Sequence, residues 1–546
     1  MRHYFRIITL LILLTPLTGR AQKNYSQEIS KNMSILSSIM QNLNLYYVDS
    51  IRVDTLFNVA IDNMLESLDR YTAYYPEEKM DELKQMTTGK YAGIGALISY
   101  RTKEKRVEIR EPYAGNPAAE AGLRMGDIIQ SIDGKDVQGL TSDVVSKMLR
   151  GEPNTSFTLV VKRIDEKQPL TFHITRRNIQ EPTIAYYGLQ ENGIGYLQLS
   201  SFHDDAAQEV RKALVDMMDK GMKGLVLDLR DNGGGSLQEA VDIVGMFVPR
   251  GTEVVSKRGK MESVNESFRT KKAPLTEEIP IVVLVDDNTA SASEITSGAL
   301  QDLDRAVIMG TRTFGKGLVQ QLRELPYNGG FKLTTSKYYI PSGRCIHNAD
   351  AKHLRSDGTP SPLADSLATV FHTTTGREVR DGGGISPDIE MKNDTLATFP
   401  YYLAVSDDFV DFCARYIQQH KSIASPSEFD LSDEDYEALK NFMKERKFTY
   451  NRRSRELLAQ LREVARIEGY NIGEDLDSLQ TKLEPGLDRD FDRYKDEVKK
   501  LTNLELISAY YFQKGKGEML LRYDKQYKAA VELLNDPERY KKILNK

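Results

Sequence analysis

The stretch VDDNTASASEITSGALQDLDRAVIMGTRTFGKGLVQQ, Val285 to Gln321, holds two serines, Ser291 and Ser293, and one lysine, Lys316, in a glycine-rich turn, with no histidine. A serine hydroxyl attacks a carbonyl when a neighbouring group takes its proton. A lysine can be that group if burial disfavours its charged form and leaves a neutral amine, and Ser–Lys pairs are a known variant of triad chemistry. Gly315 and Gly317 allow the sharp path that turns Lys316 inward, and Gln320, four residues on, can fix the amine by a hydrogen bond without adding charge. Serine is also common at helix N-termini and lysine in solvated loops. The same stretch therefore also reads as a capped helix and a flexible loop.

Two elements must position the pair. IPIVVLV reads as a buried strand, DDNTA as a polar turn, and Ser291 as the start of a helix, where unpaired N–H groups and the positive end of the helix dipole converge. An oxyanion beside Ser291 is then within reach of the Ala292 N–H. A second donor is expected from the turn RDNGGG, Arg230 to Gly235, which follows the strand GLVLDL; Gly233 and Gly234 are the candidates, and Gly234 is the expected one. Ser293 is assigned to structure, or at most to a substrate contact.

Other chemistries lack their patterns. His3, His173, His203, His347, His353, His372 and His420 show no metal-ligand spacing, so a zinc hydrolase and any metal site are not expected. There is no G-x-S-x-G elbow. Cys345 beside His347 has no nucleophile motif around it. No cofactor is expected.

The 546 residues exceed one core and point to three or four domains. A net charge of −5, spread along the chain, gives no sign of a nucleic-acid partner. The N-terminus MRHYFRIITLLILLTPLTGRA reads as a cleaved signal peptide over residues 1–21, with basic residues, a short apolar run and a small-x-small exit. The mature chain is expected to be periplasmic or secreted, with no membrane span. Its two cysteines, Cys345 and Cys413, exclude a disulfide framework and leave a single bridge open.

Residues 22–86 read as an N-terminal helical region, with Asp54 as an N-cap. Over 87–177 come short alternating strands, a Gly93-Ile94-Gly95 turn, a small-residue helix from Pro117 to Ala121, AGLRMGD, IDGKDV, and a helix from Ser142 to Leu149. This set resembles a PDZ domain. Such a module adds a bound C-terminal peptide to an open sheet edge, with Gly93, Ile94 and Gly95 holding the carboxylate. Residues 178–394 alternate buried strands with amphipathic helices, an α/β core. Residues 395–546 read as a separate helical region, with Ser432 capping one helix.

LDLRDNGGG, TASASEI, GALQD, TFGKGLVQ, YYIPSGRCIH and GGISPDI, in that order after the PDZ-like segment, resemble the C-terminal processing peptidases, or tail-specific proteases. The resemblance spans roughly residues 86–392. It implies an α/β fold with a crotonase/Clp-protease-like core, an inserted PDZ domain, and helical N- and C-terminal regions. It also implies Ser291 as nucleophile, Lys316 as general base and Gln320 as the support of the lysine, with Glu294 organising the helix start. Gly233 replaces a proline common in the family, and Cys345 a usually polar residue. The expected function is an exported serine endopeptidase that recognises apolar C-terminal tails of protein substrates through its PDZ domain. An adaptor protein and self-association are left open as partners. The competing reading is a catalytically silent scaffold that binds C-termini; acyl-CoA chemistry, as in crotonase-like relatives, ranks behind both.

Overall fold

The computed structural model describes residues 25–348, 367–450, 453–483 and 486–546, so the signal-peptide expectation lies outside the described residues. The chain divides into two compact units, Met1–Tyr74 and Tyr75–Lys546. In the first, helices α1 (Tyr25–Tyr46) and α2 (Val53–Glu66) carry apolar residues at three- and four-residue steps. Asp54 sits inside the first turn of α2 rather than at its cap, which is Arg52 and makes no side-chain capping bond. An acidic residue in that turn still meets the positive end of the helix dipole.

The second unit begins with a β-sheet module built around a small core that includes Ile94, Val107, Ile129, Val145 and Leu159. Its strands are β1 (Ala96–Arg101), β2 (Arg106–Pro112) and β3 (Asp127–Ile132), then, after helix α3 (Ser142–Leu149), β4 (Ser156–Lys162) and β5 (Leu170–Thr175). They pair antiparallel in the order β1-β2-β3-β4-β5, with the short strand Lys135–Asp136 paired to β3. β1 is therefore an edge, and α3 packs against it.

A second six-stranded sheet comprises β6 (Ile184–Leu189), β7 (Ile194–Leu199), β8 (Gly224–Asp228), β9 (Ile281–Val285), β10 (Val307–Gly310) and, late in the chain, Ile389–Glu390, in that spatial order. β6 runs antiparallel to β7; every other pair is parallel. Alternate residues point to opposite faces, and both faces are buried. Leu225, Leu227, Ile281 and Val283 join one core with helices α4 (Ala206–Asp219), α5 (Leu237–Val244) and α6 (Ala292–Asp302). Val226, Val282, Leu284 and Met309 join another with Tyr527, Leu533 and Tyr540, from α7 (Lys525–Leu534) and α8 (Pro537–Ile543).

The C-terminal region is thus not self-contained. Its middle helices form their own core around Phe399, Phe409, Tyr436 and Phe491, but its last two cover the second face of the mostly parallel sheet. Tyr540 Oη bonds both the N–H and the carbonyl of Ile281 at 2.9 Å. Amphipathic periodicity showed that α7 and α8 have an apolar face and could not show which surface receives it. Ser432 caps its helix as expected, accepting from Asp435 N at 3.0 Å.

Candidate active site

Ser291 ends the turn after β9 and is the N-cap of α6, with φ 57° and ψ −116°. Few non-glycine residues adopt that backbone, at a cost of about 1–3 kcal/mol. Its surroundings hold it there. Buried Asp286 accepts from Thr289 N at 3.0 Å and from Thr289 Oγ1 at 3.1 Å. Ala290 N donates to Asn232 O at 3.0 Å, and Ser291 N donates to Glu294 Oε2 at 2.9 Å.

The glycine turn after β8 is organised by Asn232, which is fully buried. Its Nδ2 donates to Leu199 O at 2.7 Å and its Oδ1 accepts from Gly234 N at 2.9 Å. Its carbonyl also accepts from Ser293 Oγ at 2.9 Å, so Ser293 is a buried tether between turn and helix. Gly234 has φ +101°, and a Cβ there would lie 2.7 Å from the Ser291 Cβ. Only glycine lets the turn approach the serine so closely. The Gly234 amide donates to Asn232 Oδ1, and a Cβ on Gly233 would meet nothing within 4 Å.

Lys316 lies between β10 and the hairpin of β11 (Leu318–Glu324) and β12 (Gly330–Tyr339). Gly315 has φ +91°, and a Cβ at Gly317 would sit 2.6 Å from His347 N, so both glycines serve the inward path. Glu294 joins this loop to the serine. Completely buried, it accepts from Thr313 Oγ1 at 2.6 Å, Gly315 N at 2.7 Å, Lys316 N at 2.8 Å and Ser291 N at 2.9 Å. Burial pushes its carboxyl above the usual range, and these four donors act in the other direction. Burial likewise lowers the Lys316 pKa; the charge of Lys332 lowers it further and Glu294 opposes.

One cavity of about 560 Å³ brings the pieces together: Ser291, Ala292, Lys316, Gln320, Lys332 and the turn Gly233–Gly235 are among its lining. Gln320 faces Thr334 across the hairpin, and its Nε2 donates to Thr334 Oγ1 at 3.3 Å. Tyr338 Oη is within bonding range of the carbonyls of Ser291, at 3.2 Å, and of Lys316. Asn232, Lys332 and Tyr338 had no role assigned from sequence. Asn232 and Tyr338 lie inside the segments LDLRDNGGG and YYIPSGRCIH; Lys332 lies in neither and reaches the cavity through strand pairing.

Gly93, Ile94 and Gly95 do not line this cavity. Ile94 is buried and its carbonyl accepts from Ala118 N at 2.9 Å; Gly95 has φ +68°, and its carbonyl accepts from Tyr113 N. They lead directly into the edge strand β1, on which Leu97 and Tyr100 are exposed, as is Val144 on α3. Cys345 and Cys413 are both free thiols. Among the described residues no cluster of three or more His, Cys, Asp or Glu side chains could hold a metal ion, and no helix is long and apolar enough to cross a membrane.

A strained serine at a helix start, a half-buried lysine and a glycine turn around one cavity, next to a module with an open strand edge, define a serine-type peptidase with a PDZ domain. Comparison with known proteins agrees. Residues 193–353 match peptidase family S41, 108–163 a PDZ domain, and 399–534 the probable PDZ-protease C-terminal helical domain. A carboxy-terminal-processing protease of Bartonella bacilliformis is 37% identical over 327 residues, 59% of this chain and 74% of the relative. A carboxyl-terminal-processing protease of Synechocystis sp. is 40% identical over 294 residues, 53% of this chain and 68% of the relative. Among solved structures, a photosystem II D1 C-terminal processing protease is 28% identical, covering 66% of this chain and 87% of its own, with a TM-score of 0.36. The chain belongs to peptidase family S41, among the carboxyl-terminal-processing proteases.

Proposed function

We propose that the chain is an exported endopeptidase that captures C-terminal tails of protein substrates on its PDZ domain and cleaves them by Ser–Lys chemistry. The convergence of Ser291, half-buried Lys316 and the glycine turn on one cavity carries this reading. Neutral Lys316 accepts the Ser291 proton as Oγ adds to the scissile carbonyl; Gln320 steadies the hairpin beside the amine. The oxyanion is held by the N–H groups of Ala292 and, because the Gly234 amide bonds Asn232, of Gly233. The protonated amine then delivers its proton to the leaving nitrogen, and water releases the acyl-enzyme. The tail adds a strand to β1, its carboxylate at the Gly93–Gly95 turn and its apolar side chains over Leu97 and Val144. Export through the residues 1–21 signal and kinship of the core with crotonase and Clp protease belong to the same proposal.

The test is cleavage of a folded reporter bearing an apolar, unstructured C-terminal tail by the mature chain, with Ser291→Ala and Lys316→Ala alongside. Cleavage abolished in both variants, with folds intact, supports the assignment. Equal tail binding by all three without cleavage would replace it with the scaffold.

A further inference from the structure

The active-site cavity contains a second lysine that the Ser–Lys scheme does not use. Lys332 sits on β12, opposite Leu322 of β11 and two residues before Thr334, the partner of Gln320. It lines the same cavity as Ser291 and Lys316. Its Nζ donates to Tyr75 Oη at 3.3 Å and lies 5.6 Å from the centre of that ring. Among the described residues it has no carboxylate partner.

Several ionisable groups among the described residues face Lys316. Glu294 of α6 contributes a carboxylate, and its two oxygens are occupied by the four donors already named. From β12 come Lys332 and Tyr338, whose hydroxyl faces backbone carbonyls, and His347 stands behind Gly317. Two ammonium groups in one half-buried cavity repel each other more than they would in water. A neighbouring cation is a recognised means of keeping an amine neutral and reactive.

We propose that Lys332 is a positioning residue whose fixed positive charge keeps the Lys316 amine in its neutral, proton-accepting form. The effect of Lys332 on Lys316 has the required sign. Tyr75 holds the charge without cancelling it, since a phenol accepts a hydrogen bond while remaining neutral.

This inference rests on the Ser–Lys reading, and the test separates the two. The pH profile of kcat/KM is measured for the mature enzyme, Lys332→Met, Lys332→Arg and Lys316→Ala, using a tailed reporter and a short peptide substrate with free or amidated C-terminus. Loss of the like charge should move the acid limb of Lys332→Met up by about one pH unit, costing about tenfold in activity below the limb and little above it. Lys332→Arg should keep the limb in place. If the limb of Lys332→Met does not move while Lys316→Ala is inactive, the inference fails and the Ser–Lys reading stands. If Lys316→Ala cleaves normally, that reading fails and takes the inference with it. A rise in KM confined to free-carboxylate peptides, with the limb unmoved, would instead make Lys332 a substrate-carboxylate receptor and overturn the proposal. Should Lys332→Met not fold, Lys332→Gln makes the same measurement.

Discussion

Two glycine turns in this protein sit in opposite surroundings. Around Gly233–Gly235 almost every polar group is already spoken for: Asn232 bonds Leu199, Gly234, Ala290 and Ser293, and Arg230 binds Asp228, Gln526 and Asp524. The turn at Gly93–Gly95 has its carbonyls at Ile94 and Gly95 tied to Ala118 and Tyr113, but it opens onto a strand with no neighbour on one side. Stabilising a charge that exists only in a transition state needs donors aimed before the reaction starts, because reorganising them would return the gain. Capturing diverse tails needs an unfilled hydrogen-bond ladder and side chains still exposed. Under the proposed function, rigidity in one turn and openness in the other would answer those two demands.

That contrast can be broken in order of expected effect. Ser291→Ala and Lys316→Ala should each lower kcat/KM by about four orders of magnitude. Circular dichroism and the thermal midpoint should stay near those of the parent enzyme. Glu294→Ala strips four donors of their acceptor and should cost about 3 kcal/mol of stability or more, read by denaturant unfolding, together with most activity. Gly234→Ala drives a methyl into the Ser291 Cβ and a disfavoured φ, and should lower kcat about a hundredfold with a smaller loss of stability.

The edge should behave differently. Leu97→Asp and Val144→Asp alter exposed side chains, so they should raise KM for tailed reporters about tenfold while leaving the thermal midpoint and the cleavage of untailed peptides nearly unchanged. An equal loss on both substrates would erase the distinction between the two turns.

The smallest effect is in pH. Because burial lowers the Lys316 pKa, kcat/KM should rise with pH through a limb below the ordinary lysine range. The linkage has a definite sign. Between the folded and the ordinary lysine value the unfolded chain binds more protons at Lys316, so its contribution to stability increases as pH rises through that window. Unfolding monitored across the same pH range checks both parts.

Much of this site can be read in one dimension because its parts are short segments with strong local rules. A buried strand followed by a polar turn and small residues marks the start of α6 and hence Ser291. Glycines on either side of Lys316 mark a lysine on a constrained path. Alternating apolar strands and the order of motifs identify the α/β core and the PDZ-like module. Only tertiary structure decided the rest, since it depends on distances that no local rule sets. Glu294 links a helix start to a loop some twenty residues on, where only the fold shows one carboxylate spanning both. Asn232 Oδ1 accepts from the Gly234 amide. β12 carries Lys332 into the cavity through register with β11 and also bears Tyr338, which lines the same cavity, and α7 and α8 return from the chain's end to cover the sheet. Local propensity and periodicity say which face of an element is apolar; pairing register and core packing, summed over the whole chain, choose what that face meets.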